Sequence, residues 1–172
     1  MKLFLLSTAL FITCFSFAQQ DSSKKEMTDA IQKFSFLPGK WKGGGWFQMN
    51  QQKDSLTVDQ TAEFIENGMA LRINAAFEFR NNGYKTTTSI VITYDPKLHK
   101  YHMSAETDSG QKNEGDAWLS GDHILGYLLQ VTNTQRMRYT FSVMNDKLII
   151  AGETSYDNGS TWLPSFGATL TK

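Results

Sequence analysis

The feature that most constrains this chain is a two-residue alternation hinged on Asn67-Gly68. Asn-Gly is the pair a type I′ turn prefers, because both of its central residues take φ > 0. A two-residue loop there sets Glu66 opposite Met69. Counting outward, Phe64 faces Leu71, Ala62 faces Ile73, Val58 faces Phe77 and Leu56 faces Phe79. These apolar residues share one face, since side chains alternate along a strand. Thr57, Asp59, Thr61, Arg72, Asn74 and Glu78 share the other. Turn chemistry and hydrophobic pattern therefore specify the same hairpin.

The same counting extends along the chain. A turn around Asn81-Asn82 places Ala75 opposite Thr88 and Ile73 opposite Ile90, and sets Phe79 against Tyr84. The Asp95-Pro96 turn sets Tyr94 against Tyr101 and Ile92 against Met103. Asn145-Asp146 pairs Val143 with Leu148, Phe141 with Ile150 and Tyr139 with Gly152. About ten strands are expected, at 40–49, 55–66, 69–80, 84–94, 100–107, 111–119, 123–131, 135–144, 147–156 and 162–171. Strands with one apolar and one polar face, joined by short turns, predict an all-β antiparallel meander closed into a barrel. Strand 111–119 has two readings. A three-residue Asp108-Ser109-Gly110 loop sends Gln111, Asn113, Ala117 and Leu119 inward. A two-residue loop sends Lys112, Glu114, Asp116 and Trp118 inward. Burying unpartnered charges costs far more than burying amides, which favours the first.

Ahead of the strands, Ser23-Lys24-Lys25-Glu26 reads as a capping box. Met27, Ala30, Ile31 and Phe34 follow at helical spacing. A short amphipathic helix within segment 19–35 is expected to lie across one end of a barrel domain at 36–172. Lys2, the apolar run Leu3 to Phe17, and Ser16-Phe17-Ala18 before Gln19 form the pattern of a cleaved signal peptide at 1–18. Export to the periplasm or medium is the expectation. A lipoprotein signal at Cys14 fits less well, with Thr13 and Phe11 where small and Leu residues are wanted. Cys14 is the only cysteine, so the mature chain would hold no disulfide. Lys plus Arg and Asp plus Glu both number 17. With no basic block, nucleic acid is not an expected partner. After the signal, no apolar run approaches the roughly 20 residues that cross a bilayer.

Gly39-Lys40-Trp41, at the start of the first strand, resembles the Gly-x-Trp motif of lipocalins, in which the Trp plugs one end of the barrel. The run Leu37-Pro38-Gly39-Lys40-Trp41-Lys42-Gly43 is similar to the Leu-x-Gly-x-Trp-x-Gly of an exported bacterial calycin-like family of unknown function. The resemblance covers roughly residues 34–172. It implies a lipocalin-like barrel able to hold one small ligand, and it carries no activity. Lipocalins stack an Arg near the chain end on the Trp; this chain ends Leu170-Thr171-Lys172, so either Lys172 substitutes or the feature is absent. Ser155-Tyr156-Asp157-Asn158-Gly159-Ser160-Thr161-Trp162 resembles the Asp-box of sialidases. A single copy in a chain too short for a propeller reads instead as a turn, with Asp157 accepting from loop N–H groups, Gly159 at φ > 0 and Trp162 beneath.

No catalytic constellation stands out. Some barrels of the kind resembled bind haem through one His. Here alternation turns His102 outward, His99 falls in a turn and His123 begins a strand of ambiguous facing. All three read as solvent-facing, and neither a metal site nor a cofactor is expected. The inward face is the informative set. Ala62, Ala75, Ala105, Gly152 and Ala168 are small. Tyr84, Tyr94, Tyr101, Met103, Tyr139, Phe141 and Phe166 surround them, and Thr86, Thr88 and Thr107 add hydroxyls. Small residues at mid-height leave room for a ligand, with Ala75, Tyr84, Thr88, Tyr94, Tyr101, Met103, Ala105, Tyr139, Phe141, Gly152 and Phe166 as cavity candidates; the alternative is a solid barrel in which opposing aromatics fill that room. Three functional readings follow. The first is a binding module for a small, mostly apolar, uncharged ligand. The second is an enzyme using Tyr hydroxyls or Glu114 and Asp116 as acid–base groups. The third is an interaction protein presenting Leu125, Tyr127 and Leu129 to a partner or a second copy.

Overall fold

The computed structural model describes residues 21–49 and 52–172. The expected signal peptide and Cys14 lie outside the described residues. Ten antiparallel strands close into one barrel: β1 (Gly39–Met49), β2 (Gln52–Ile65), β3 (Ala70–Phe79), β4 (Lys85–Asp95), β5 (Lys100–Thr107), β6 (Lys112–Ser120), β7 (Ile124–Gln130), β8 (Arg136–Met144), β9 (Lys147–Ser155) and β10 (Leu163–Thr171). Each strand pairs with its sequence neighbours, and β1 pairs with β10 to complete the ring.

The registers are those the turns predict. Leu56 pairs with Phe79, Phe64 with Leu71, Ala75 with Thr88, Tyr94 with Tyr101 and Phe141 with Ile150. Asn67 and Gly68 have φ of 57° and 87°, and the Met69 N–H donates to the Glu66 carbonyl at 3.3 Å. Glu66 is itself left-handed at φ 53° and Met69 is right-handed helical, so the ladder ends one pair earlier, at Ile65–Ala70. Asp108-Ser109-Gly110 is the three-residue loop, with Gly110 at φ 81° and the Thr107 N–H donating to the Gln111 carbonyl at 3.0 Å.

That loop decides two strands. Ala117 is buried and pairs with Tyr101, while Glu114 and Asp116 lie exposed opposite Ser104 and His102. The next loop joins Ser120 to Ile124, so Ala117 pairs with Tyr127 and Leu119 with Leu125. The expected exposed patch at Leu125, Tyr127 and Leu129 is therefore wrong. These residues are 0%, 5% and 8% exposed and face inward, and Gly126 faces outward beneath the Trp118 ring. β7 is apolar on both faces, so its own alternation is silent; only the register inherited from β6 orients it.

The two ends of the barrel differ. Residues 21–32 form a helix across the end where β1 starts and β10 finishes. Ser23 lies inside this helix, so it does not serve as the expected N-cap. The predicted apolar stripe does dock: Ala30, Ile31 and Phe34 are buried. Phe34 meets Tyr101 edge-on at 5.0 Å, and the Tyr101 hydroxyl donates to the Ala30 carbonyl at 3.1 Å. Trp41 is 1% exposed and its indole N–H donates to the Leu37 carbonyl at 2.8 Å. The Lys172 ammonium sits 4.7 Å over the Trp41 ring, the place the resemblance gives to an Arg. Lys172 also runs past Gly39, where φ is 136° and a Cβ would lie 3.0 Å from the Lys172 chain. At the seam, a Cβ on Gly43 would fall 2.1 Å from the Thr169 carbonyl, so the β1–β10 closure requires glycine there.

Candidate functional site: a cavity at the open end of the barrel

Barrel diameter grows with strand number, and about eight strands already give an interior that side chains can just fill. Ten strands enclose more space, and here it is filled from one end only. Trp41, Phe34, Leu37, Ile73, Ile92, Leu125 and Leu148 form a packed layer behind the helix. Toward the opposite end the interior opens into a cavity of about 310 Å³. Its deeper lining includes Gln60, Ile90, Tyr127, Phe141 and Ile150. Phe47, Phe79, Thr86, Gln111, Val131 and Met137 lie toward its mouth.

Ala75, Thr88, Ala105, Tyr139, Phe141 and Phe166 line the cavity as expected from sequence. The other candidates sit elsewhere. Tyr94 and Tyr101 lie at the helix-covered end, where the Tyr94 hydroxyl is 3.4 Å from Glu26 Oε1 and 3.2 Å from His99 Nδ1. Met103 belongs to the packed layer at 2% exposure. Tyr84 is 56% exposed on the mouth-side turn against Phe79. Gly152 lies behind the wall. A Cβ there would come within 2.6 Å of the Tyr139 ring, so glycine makes the room that ring occupies. Of the small residues, Ala62 is buried beside Ile73 of the packed layer, and Ala168 is buried beside Ile150 without lining the cavity.

Gln60 escaped the sequence reading. It lies between Val58 and Ala62 on the inward face of β2, so alternation alone was signal enough to find it. It is 1% exposed, and its Nε2 has no acceptor among the described residues. Tyr127 and Tyr139 stack at 5.2 Å, and Tyr127 continues to Phe141 at 5.7 Å, which makes one wall aromatic. Burial pushes the Tyr139 hydroxyl up to about 12, and burial, then neighbouring Tyr139, raises that of Tyr127 well above its ordinary value. Both hydroxyls therefore stay protonated at neutral pH and act as neutral hydrogen-bonding groups.

Among the described residues, none that lines the cavity is charged. Alternation puts Asp54 on the inward side near the mouth, where its Oδ1 is buried without a partner among the described residues. Glu114 and Asp116 are outside the barrel and cannot act in the cavity. His99 and His123 are exposed, His123 against Phe36, and none of the three histidines lines the cavity. No cluster of three metal-binding side chains occurs among the described residues. A second hollow of about 510 Å³ over Thr61, Asn74, Thr87 and Ser89 is an open depression on the outer polar face.

The Asp-box is also at the mouth end, and its polar groups serve its own loop. Asp157 Oδ1 accepts from Ser155 Oγ and from the Thr161 N–H, both at 2.8 Å, and Oδ2 accepts from Thr161 Oγ1 at 2.6 Å. Ser155 Oγ in turn accepts from the Gly159 N–H at 2.7 Å, with Gly159 at φ 96°. The Thr161 hydroxyl, then the Thr161 N–H and the Ser155 hydroxyl, hold the Asp157 carboxyl down at about 2. Trp162 lies against Arg138, whose guanidinium is 4.3 Å from the ring centre.

Fold and site together define a ten-stranded antiparallel β-barrel, plugged at one end and hollow at the other. No protein-family model matches the chain. No curated protein matches it either. Among solved structures it is similar to the crystal structure of Rv2717c from M. tuberculosis, with a TM-score of 0.60 and 13% identity over 83% of this chain and 96% of that one. It also aligns with a de novo designed fluorescence-activating β-barrel, at a TM-score of 0.38 and 10% identity over 82% of this chain and 97% of that one. The likeness to Rv2717c is one of fold; nothing further follows from the looser second one.

Proposed function

We propose that this protein is an exported, calycin-like binding barrel that holds one small, neutral, mostly apolar ligand in its open-ended cavity. The observation that carries this reading is the lining: apolar and aromatic walls, a few neutral polar groups and, among the described residues, no charged side chain. That is the composition of a ligand pocket, and its size is at the small end of such pockets. A carboxylate entering it would lose its hydration without gaining a cationic partner. Acid–base catalysis has less support, because the paired acids face solvent and the raised tyrosines are poor bases at neutral pH. The calycin-like reading is supported by Trp41 plugging the barrel under Lys172. Export rests on Lys2, the Leu3–Phe17 run and Ser16-Phe17-Ala18. Intact mass of protein recovered from an exporting host checks it, with a mature start at Gln19 expected and an acylated Cys14 overturning it.

The binding test is displacement of a neutral hydrophobic fluorescent dye by 1-octanol and by octanoate at pH 7. The alcohol should displace the dye at a concentration roughly a hundredfold lower, because an unpaired buried carboxylate costs several kcal/mol. Octanoate matching the alcohol would mean that a cation reaches the cavity. Failure of the dye to bind at all would remove the binding reading.

A further inference from the structure

We propose that Gln60 is the polar anchor of the cavity, and that its ligand is a flat, neutral ring compound inserted with a carbonyl or hydroxyl oxygen against this amide. The inference rests on the binding reading above and specifies the ligand class. A primary amide buried to 1% exposure, whose Nε2 has no acceptor among the described residues, is costly in a mostly apolar interior. Buried polar groups are almost always partnered, and an exception calls for a partner. The neighbours on either side cannot supply one. Gln60 pairs across the ladder with Trp41 on β1 and Ala75 on β3. The Trp41 N–H is a donor only and is already spent on the Leu37 carbonyl; Ala75 has no polar side-chain atom. The open side of Gln60 is the cavity. What completes the amide must enter there.

The opposite wall specifies the rest of the molecule. Tyr127 stacks with Tyr139 at 5.2 Å and lies 5.7 Å from Phe141, tilted by 33°, so this wall is a continuous run of aromatic rings. Such a surface packs best against another planar ring. A volume of about 310 Å³ limits the occupant to a small ring system. The uncharged lining requires the oxygen to be neutral. A carbonyl accepts from Gln60 Nε2–H; a hydroxyl can use either end of the amide.

The test compares indane with 1-indanone, which share a skeleton and differ by the carbonyl. Each displaces the neutral dye from the full-length mature protein and from Gln60→Leu, with Gln60→Met as a second variant of similar volume. Thermal melting establishes that each variant is folded. In Gln60→Leu the preference for 1-indanone over indane should fall by roughly three- to tenfold, the share of one neutral buried hydrogen bond. Indane itself should bind at least as well as before. If both compounds bind and their ratio is the same in wild type and variants, the partner of Gln60 is a fixed water and the anchor is wrong, while the binding reading stands. If the dye binds but neither compound displaces it, the ring class is wrong. If the dye itself does not bind the wild-type protein, the binding reading falls and the anchor with it.

Discussion

Placing the same large side chain at two alanines of β2 and β3 separates a hollow barrel from a solid one. Ala75 and Ala62 both face inward and are 6% and 5% exposed. Ala75 lines the cavity, whereas Ala62 lies in the packed layer with Trp41 and Ile73. At Ala75 an indole has space to enter. Burying a large apolar side chain contributes about 1.5–3 kcal/mol, and fixing its rotamer costs about 1 kcal/mol. Ala75→Trp should therefore be neutral or up to about 2 kcal/mol more stable. At Ala62 there is no such space, and overpacking a filled core costs about 3 kcal/mol or more. For a domain of this size 1 kcal/mol moves Tm by about 2–4 °C, so the two variants should melt about 10 °C apart. Near-ultraviolet circular dichroism follows the melting, and dye titration follows the cavity. Ala75→Trp should keep its fold and lose dye binding. Equal losses of Tm in the two variants would show that the upper barrel is as densely packed as the lower. An Ala75→Trp protein that still takes up the dye would show that the dye binds elsewhere.

Asp157→Asn should lower Tm without changing dye binding, since Asp157 bonds to its own loop. The Asp157 carboxyl is depressed to about 2 when folded, so its contribution is present above pH 4 and is lost as pH falls from about 4 to 2; the variant should lack that part of the acid destabilisation. Tyr139 behaves in the opposite sense. Its hydroxyl is raised from 10.0 to about 12 in the fold, so its stabilisation is complete below pH 10 and is lost as pH rises toward 12, and Tyr139→Phe should flatten the alkaline limb of a Tm–pH profile. Lys172→Ala removes the cation over Trp41 and should cost about 0.5–1 kcal/mol in a urea titration, as for a cation–π pair near solvent. An unchanged midpoint would mean that the plug holds without it.

Alternation and turn chemistry determined the strand number, the hairpin registers and the face on which nearly every side chain lies. These are local properties: a two-residue period and a turn of known length fix each pair of strands without reference to the rest. The same locality explains the gaps. β7 is apolar on both faces, so Leu125, Tyr127 and Leu129 could be oriented only through the loops on either side of β6. Gln60 was within reach of the same parity rule but was hidden among the apolar residues flanking it. The division of the inward face into cavity and plug was beyond any local rule. Ala75 and Ala62, or Tyr139 and Tyr101, are equivalent by parity. Whether such a residue meets space or a packed neighbour depends on the distance across a ring closed by β1 and β10. It depends equally on which end receives the helix, Phe34 and Trp41. Volume is a property of all ten strands at once, and only the closed barrel decides where some is left over.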